Sequence, residues 1–274
     1  MSRILDKIEN LVKEADSILI GAGSGLSTAA GVKMDGEGFE KNFEPWIKKY
    51  GFKDLYTSSF YQFKTSEEKW AYWGKYIKYI DIDMPGAELY KKIYKLIQDK
   101  NYFVITTNVD DQFYKTGFDK DKIFRTQGSY RLLQCSTPCH NKLYDAEETC
   151  NELIANTSED LKVPSNLIPH CPVCGEEMDI NLRKDDTFVQ DELWYKQCKK
   201  YENFLKENTN KKLLLLEFGV GFNTPGIIRF PFEELTAQNK NWILVRFNKD
   251  TKKFYDMDDN KFVEVKEDIN KVFE

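Results

Sequence analysis

The sequence predicts an α/β fold in which helices cover both faces of a doubly wound parallel sheet, with a small cysteine-rich module inserted. Short unbroken apolar runs such as "SILIG" and "KLLLLEF" alternate with segments of helical periodicity, which is typical of parallel strands buried on both faces. Five of the six cysteines and both histidines fall between residues 131 and 180. We therefore expect residues 1–130 and 181–274 to form the sheet domain and residues 131–180 to form the module.

The first hundred residues contain one strand and several helices. Apolar residues recur at helical spacing over residues 3–14, and "SILIGAGSG" then predicts a buried strand that enters a glycine turn. "GLSTAAG" begins the next helix. Residues 35–65 are rich in aromatic residues and are expected to be mainly loop. Residues 66–98 are expected to be helical, with a break at Pro85 and Gly86.

Further strands follow in the rest of the chain. "YFVITTNVD" predicts a second strand that ends in polar residues, and "KIFRTQGSY" predicts a third. "ELWYKQCKKYENFLKEN" has helical periodicity, whereas "KLLLLEFGVGFNTPG" and "NWILVRFN" are typical of buried strands. The final segment, "DDNKFVEVKEDINKVFE", is expected to form a polar turn and a closing amphipathic helix.

The composition argues against several classes of partner. A net charge of −5 with scattered basic residues gives no general attraction to nucleic acid or anionic lipid. No apolar run reaches the roughly 18 residues of a membrane-spanning helix, and "MSRILDKIENLVKEADS" lacks the apolar core of a signal peptide. We expect a cytoplasmic protein with no nucleic-acid or membrane partner, whose cysteines are thiols or metal ligands.

Polar or glycine-rich segments follow four of the predicted strands. Because ligands of doubly wound sheets collect at the carboxyl ends of the strands, these segments predict one binding site. The segments are residues 21–25, 106–110 and 219–223, and Asn248. Glycines allow the backbone to approach a pyrophosphate, although the G-x-G-x-x-G pattern fails because its third glycine would be Leu26. The alternative is a tight strand–helix turn with no ligand.

Two close cysteine pairs indicate a metal site in the module. Paired thiolates at this spacing suit tetrahedral zinc, and four ligands leave no open catalytic position. The pairs are Cys135 with Cys139, and Cys171 with Cys174. Two alternatives remain open: the thiols are free and buried, or His140 or His170 replaces a cysteine as a ligand.

The motifs resemble those of the sirtuins in order and spacing. "GAGSGLSTAAG", "TTNVDDQF", the four-cysteine module, "EFGVGFNTPG" and "VRFN" follow one another between residues 18 and 248. The resemblance implies a Rossmann-like domain that takes NAD as co-substrate, with an inserted structural zinc module. It also assigns the cofactor-binding residues: Gly21, Ala22, Gly23 and Ser27 to the pyrophosphate, Asn108 and Asp110 to the nicotinamide and ribose, and Gly219, Gly221 and Asn248 to the adenosine half. Sirtuins have Ile-Pro-Asp-Phe-Arg where this chain has "VKMDGEGFEKNF", so Phe39 or Phe43 is a candidate cover for NAD.

Gln127 changes the expected chemistry. A deacylating sirtuin has a catalytic His-Gly where this chain has Gln127-Gly128. Deacylation needs a general base that titrates near neutral pH, whereas a glutamine amide only donates and accepts hydrogen bonds. Both histidines lie in the inserted module. Gln127 therefore argues against efficient deacylation but is compatible with binding the ribose.

The chain most resembles the macrodomain-linked (class M) microbial sirtuins. The shared features are the form of the glycine turn, the glutamine at the histidine position and "NLRKDDTFVQDELW". The resemblance implies a protein ADP-ribosyltransferase with the catalytic set Asn108, Gln127 and Arg183. It further implies a lipoyl-carrying glycine-cleavage H-like protein as substrate and a macrodomain hydrolase as partner. For Arg183 the alternative is a surface or structural ion pair.

Three other functions remain open. The chain could be an NAD-dependent protein lysine deacylase, an NAD hydrolase, or a non-catalytic sensor of NAD or ADP-ribose. Each predicts a different product when the protein is mixed with NAD and an acyl-lysine peptide: O-acyl-ADP-ribose, free ADP-ribose, or none.

Overall fold

The computed structural model describes residues 3–274, which divide into two compact units. The first unit contains the chain up to Gly31, together with Gly86–Gln127 and Leu193–Glu274. The second contains Val32–Pro85 and Gly128–Glu192. It is wider than the predicted module because it includes Val32–Pro85, so the sequence-based boundaries stay a prediction. Among the described residues, no helix is long and apolar enough to cross a membrane.

The strands form two sheets, one in each unit. Numbered along the chain, the strands of the described residues are β1 (Ser17–Ala22), β2 (Asn101–Thr106), β3 (Ile123–Arg125), β4 (Gly128–Cys135), β5 (Tyr144–Asp145), β6 (Met178–Leu182), β7 (Leu213–Phe218), β8 (Trp242–Phe247) and β9 (Phe262–Val265). The first unit holds a parallel sheet in the order β3-β2-β1-β7-β8-β9. The second holds an antiparallel sheet in the order β5-β4-β6.

Ten α-helices surround these sheets in the part of the chain that the structure describes. They are α1 (Arg3–Glu14), α2 (Ser24–Ala29), α3 (Gly36–Tyr50), α4 (Leu55–Ser58), α5 (Ser66–Ile77), α6 (Glu88–Ile97), α7 (Glu147–Ala155), α8 (Glu192–Glu207), α9 (Arg229–Gln238) and α10 (Ile269–Val272). One turn of π-helix, Lys78–Ile82, continues α5. The predicted first helix and the predicted break at Pro85 and Gly86 are confirmed.

Helices cover the parallel sheet on both faces, which confirms the predicted fold class. All six residues of β1 are buried, and its side chains alternate between two cores. Ile18 and Ile20 pack in a core with residues of α1, α6 and α10. Leu19 packs on the opposite face with residues of α8 and α9. The continuous apolar run of β1 is the consequence of burial on both faces.

Three sequence-based expectations for secondary structure were wrong. Residues 36–50, expected as loop, form α3; its helical geometry is interrupted at Phe43, just before Pro45, which places the proline where the helix is already kinked.

The single strand expected over "KIFRTQGSY" is two strands in different sheets. Gly128 begins the second strand with φ of 87°, and a Cβ there would lie 1.9 Å from the Asn181 carbonyl oxygen.

The C-terminal expectation missed a strand. β9 adds the sixth strand of the parallel sheet through pairing with β8, and the closing helix α10 has only four residues. A segment of four residues is too short for the spacing of its apolar residues to distinguish a strand from a helix.

Candidate functional site

The two glycine turns predicted to bind NAD pack directly against each other. The Gly25 amide donates to the Gly219 carbonyl oxygen at 3.0 Å, and the Gly23 amide donates to the Phe218 carbonyl oxygen at 2.9 Å. A Cβ on Gly25 would lie 2.7 Å from the Gly219 Cα, and one on Gly219 would lie 2.4 Å from the Leu26 amide nitrogen. Gly219 also has φ of 59°, which favours glycine. Close backbone packing therefore requires glycine at these positions.

Gly21 has a different reason to be glycine. It lies within β1, and a Cβ there would lie 2.5 Å from side-chain atoms of Ile228 and Phe232. Its proposed role at the pyrophosphate stays a prediction, because the contact that excludes a side chain is core packing. No heavy atom lies within 4 Å of the Cβ position of Gly221, so that glycine is open.

A buried hydrogen-bond network links β1, β2 and α6 at the carboxyl end of the sheet. The Asn108 side-chain nitrogen Nδ2 shares its two protons among three acceptors: the Gly23 carbonyl oxygen at 3.1 Å, Ser27 Oγ at 3.0 Å and the Tyr90 hydroxyl at 3.2 Å. Ser27 Oγ in turn donates to Asp110 Oδ2 at 2.5 Å. The Tyr90 hydroxyl lies 3.0 Å from Ser27 Oγ and donates to it, because the Ser27 proton is already used. The structure thus brings together four of the predicted site residues, Gly23, Ser27, Asn108 and Asp110.

Burial controls the ionisation of this network. Burial raises the pKa of Asp110 above its ordinary value, while hydrogen bonds from Ser27 and the Gln112 amide oppose the rise. The pKa of Tyr90 lies well above 10, because of burial and then the nearby Asp110 charge. Tyr90 was missed by sequence reasoning, since its position fits the apolar face of α6. The result is a chain of neutral donors that ends on one carboxyl group.

Gln127 lies two residues beyond β3, at the same sheet edge. Its side-chain nitrogen Nε2 donates to Thr126 Oγ1 at 3.3 Å, and the side chain is half-buried. Thr126 is held on β2, because its amide and its hydroxyl both donate to the Thr106 carbonyl oxygen, at 3.1 and 3.0 Å. The carboxyl ends of β2 and β3 therefore present Asn108 and Gln127 from neighbouring strands.

Asn248 and a buried ion cluster organise the end of β8. Asn248 Nδ2 donates to the Val220 carbonyl oxygen at 2.7 Å, which ties β8 to the glycine turn after β7. Arg246 donates to both oxygens of Glu217, at 2.7 and 2.8 Å, and to Glu233 at 2.6 Å; all three side chains are fully buried. The second Glu233 oxygen accepts the amides of Phe254 and Tyr255, at 2.6 and 3.0 Å. The cluster thereby holds the loop after β8, and sequence reasoning missed it because its members are dispersed along the chain.

Arg183 lies in the second unit, just after β6. Its side chain is exposed, and the guanidinium carbon lies 4.6 Å from the centre of the Phe188 ring. Phe39 and Phe43 lie in the same unit, where both are buried and stack on each other at 5.5 Å. The catalytic role of Arg183 stays a prediction.

The four predicted zinc ligands lie together in the second unit. The sulfur atoms of Cys135, Cys139, Cys171 and Cys174 all lie within 4.8 Å of one another. Burial opposes ionisation of Cys135, but hydrogen bonds from the Cys139 amide and from Thr137 lower its pKa to about 6. Burial and the neighbouring thiols raise the pKa of Cys139. Four thiolates this close need a cation, so the donor set fits a tetrahedral structural zinc ion.

The fold and the site define a class of protein. The fold is that of the sirtuins, whose solved structures match over the whole chain. A sirtuin structure described for its substrate affinity matches with a TM-score of 0.61 at 15% identity, over 100% of this chain and 97% of that chain. A Sir2–peptide–NAD+ complex matches with a TM-score of 0.58 at 14% identity, over 100% and 96%. No family model matches the sequence.

Curated relatives narrow the class further. A Staphylococcus aureus protein described as a protein ADP-ribosyltransferase is 32% identical over 96% of this chain and 84% of its own length. A Fusarium oxysporum protein described as a probable bifunctional ADP-ribose hydrolase/ADP-ribosyltransferase is 31% identical over 83% of this chain. The match covers only 39% of that fungal protein. The chain belongs to the family of sirtuin-type protein ADP-ribosyltransferases.

Proposed function

We propose that this protein transfers the ADP-ribosyl group of NAD to a protein and that it deacylates lysine poorly. The observation that carries the proposal is Gln127 at the end of β3, beside the β2 end that presents the Asn108 network. A glutamine amide can form hydrogen bonds with sugar hydroxyls, but it has no titratable nitrogen and so removes no proton at neutral pH. The relationship to the staphylococcal ADP-ribosyltransferase supports this choice.

The residues of the first unit fit the dinucleotide. NAD, as substrate, supplies the ADP-ribosyl group and the nicotinamide leaving group. The open backbone of Gly221 suits close approach of a pyrophosphate, and Ser27 is held by Asn108 beside the Gly23 carbonyl. Asn108 and Asp110 orient the nicotinamide ribose, and Gln127 binds its hydroxyls. Ala22, Gly21 and Gly219 shape the turn, and Asn248 fixes the adenosine side through Val220.

Arg183 and the four clustered cysteines, which lie outside this network, complete the proposal. Arg183 supplies a guanidinium group that recognises an acidic group during transfer. Cys135, Cys139, Cys171 and Cys174 hold zinc, which stabilises the second unit and takes no part in the transfer.

We further propose a lipoyl-carrying glycine-cleavage H-like protein as the acceptor, reversed by a macrodomain hydrolase. The sequence resemblance to class M sirtuins supports the acceptor. The fungal relative supports the hydrolase, because its description joins an ADP-ribose hydrolase and an ADP-ribosyltransferase in one protein. The reaction takes place in the cytoplasm, where both NAD and lipoylated carriers of this kind would meet the enzyme.

The decisive experiment offers isotopically labelled NAD to lipoylated and bare carrier protein without any hydrolase, followed by mass spectrometry. ADP-ribose on the lipoylated carrier is the expected product. Free ADP-ribose without a protein adduct would instead identify an NAD hydrolase. An acetyl-lysine peptide tested in parallel reports deacylation through O-acetyl-ADP-ribose.

A pair of asparagine variants controls the assignment of the site. Asn108→Ala removes the donor to Gly23, Ser27 and Tyr90 and is expected to abolish nicotinamide release. Asn203→Ala changes an exposed asparagine on α8 and should leave the rate unchanged. Equal rates in both variants would remove Asn108 from the reaction.

A further inference from the structure

Asp111 has a left-handed backbone conformation, which is uncommon for a residue other than glycine. It follows Asp110 directly, and its φ of 53° and ψ of 20° lie in the left-handed region that favours glycine. Its side chain is only 7% exposed. A non-glycine residue held in this region at a binding site indicates that its side chain has a use that outweighs the strain.

The Asp111 side chain makes a built ion pair with Arg125, the last residue of β3. Arg125 Nη1 donates to both carboxylate oxygens of Asp111, at 2.6 and 2.8 Å, and the Arg125 side chain is 12% exposed. The guanidinium carbon lies 4.5 Å from the centre of the Tyr114 ring. Gln197 braces both partners of that stack: its Nε2 donates to the Tyr114 hydroxyl at 2.8 Å, and its Oε1 accepts the Arg125 amide at 3.4 Å.

This pair joins the two segments that carry the proposed catalytic groups. Asp111 ends the turn that begins after β2 and contains Asn108 and Asp110, whereas Arg125 is two residues before Gln127. A small cleft in the first unit is lined by Asp111 and Arg125 together with Asn108 and Asp110 of that turn. A second polar tie between these segments is Thr126 on Thr106, at the opposite end of the turn.

We propose that Asp111 and Arg125 are positioning residues that set the placement of Gln127 relative to Asn108 and Asp110. The inference rests on the proposed function, since it assigns the pair to the same site. The Thr126 tie fixes the base of the turn and the ion pair fixes its far end, so the turn cannot swing away from β3. A charge-assisted hydrogen bond between two nearly buried groups is suited to this task, because it is short and stronger than a bond between neutral groups.

The proposal predicts a loss in kcat with little change in KM for NAD. The pair does not include the pyrophosphate turn, so binding of NAD is retained. A misplacement of about 1 Å at a reacting group costs about a hundredfold in rate, and partial loosening of the turn is expected to cost roughly tenfold. Asp111→Asn and Arg125→Gln should each lower kcat for nicotinamide release by roughly tenfold, with KM within about twofold.

A double-mutant cycle separates this role from general stability. If the two residues act only through each other, the double variant should be no slower than the slower single variant. Asp111→Gly relieves the backbone strain yet removes the carboxylate. It should therefore be as slow as Asp111→Asn, and its free energy of unfolding should be at least that of Asp111→Asn. The control is Asp121→Asn, which removes a pair with Lys200 of similar length, 2.7 Å, on the exposed surface of the same unit.

A second measurement decides the inference independently of catalysis. The Trp194 indole N–H donates to the Thr126 carbonyl oxygen at 3.4 Å, so its hydrogen exchange reports on the 125–127 segment. Exchange should accelerate roughly tenfold in Asp111→Asn and Arg125→Gln but not in Asp121→Asn. Unchanged kcat in an active enzyme overturns the inference, even if thermal stability falls. If the wild-type protein releases no nicotinamide, the proposed function fails, and unchanged exchange then overturns the positioning role separately.

Discussion

Removal of Arg246 tests the buried ion cluster of the first unit. Arg246→Met deletes the guanidinium that donates to Glu217 and Glu233 and leaves two fully buried carboxyl groups without their cation. Breaking a buried ion pair by removing one partner costs about 3–5 kcal/mol. Because Glu233 also accepts two backbone amides, most of the loss should come from Glu217. We expect the free energy of unfolding to fall by about 3–5 kcal/mol, a large part of the 5–15 kcal/mol of a typical domain.

The loss of stability should depend on pH, and the pKa of Glu217 determines whether it is larger at low or at high pH. Burial raises the pKa of Glu217 even beside Arg246, which acts to lower it. An acid with a raised pKa in the folded state stabilises folding at low pH, and this contribution is lost as the pH rises through the folded pKa. Without Arg246 the pKa of Glu217 rises further. The destabilisation should therefore be smaller at about pH 5 than at about pH 8, because a raised pKa favours the neutral form of Glu217 at the lower pH.

Urea denaturation at the two pH values measures both effects. Far-UV circular dichroism follows unfolding of wild type, Arg246→Met and Arg246→Met/Glu217→Gln. The second substitution removes the unpaired charge and should recover a part of the loss, most clearly at the higher pH. A loss below about 1 kcal/mol that is equal at both pH values would refute the reasoning, because it would mean that the carboxylates reach water.

Three further predictions concern the site and the metal. Gln127→His restores a group that titrates near neutral pH, so the variant should gain measurable O-acetyl-ADP-ribose from an acetyl-lysine peptide; no gain would show that deacylation lacks more than a base. Cys174→Ser should lose bound zinc, measured by atomic absorption, and about 2 kcal/mol or more of stability; wild-type protein that is stable and zinc-free would contradict the assignment. Gly219→Ala places a Cβ 2.4 Å from Gly25 and strains a φ of 59°, so it should cost about 2–5 kcal/mol and weaken NAD binding in calorimetry, whereas Gly226→Ala, with open space around it, should not.

The buried strands and the metal cluster were accessible from the sequence because their signals are local. The runs of β1 and β7 are continuous and apolar, and two pairs of cysteines at ligand spacing predict a cluster without knowledge of the fold. The order of the motifs likewise led to the correct fold class.

The remaining features depend on contacts between distant residues. In the sequence, Tyr90 is not distinguishable from the other residues on the apolar face of α6. Only the fold places Asn108 and Ser27 beside its hydroxyl. In the sequence, Asp111 is one of 45 Asp and Glu residues. Its role becomes visible only when the fold places Arg125 of the neighbouring strand beside it. Helix α3 was missed because the segment is rich in aromatic residues and was expected to be loop, whereas the packing of Phe39 and Phe43 stabilises it as a kinked helix.

The contact of Gly25 with Gly219 has a consequence for biosynthesis. The two turns are separated by most of the chain, and β7 must lie beside β1 before the Gly25 amide finds its acceptor. A nascent chain still on the ribosome, with β7 not yet emerged, therefore has an incomplete dinucleotide turn. Acquisition of NAD should be a late event in the maturation of this enzyme, so a half-made chain cannot consume the cell's dinucleotide pool.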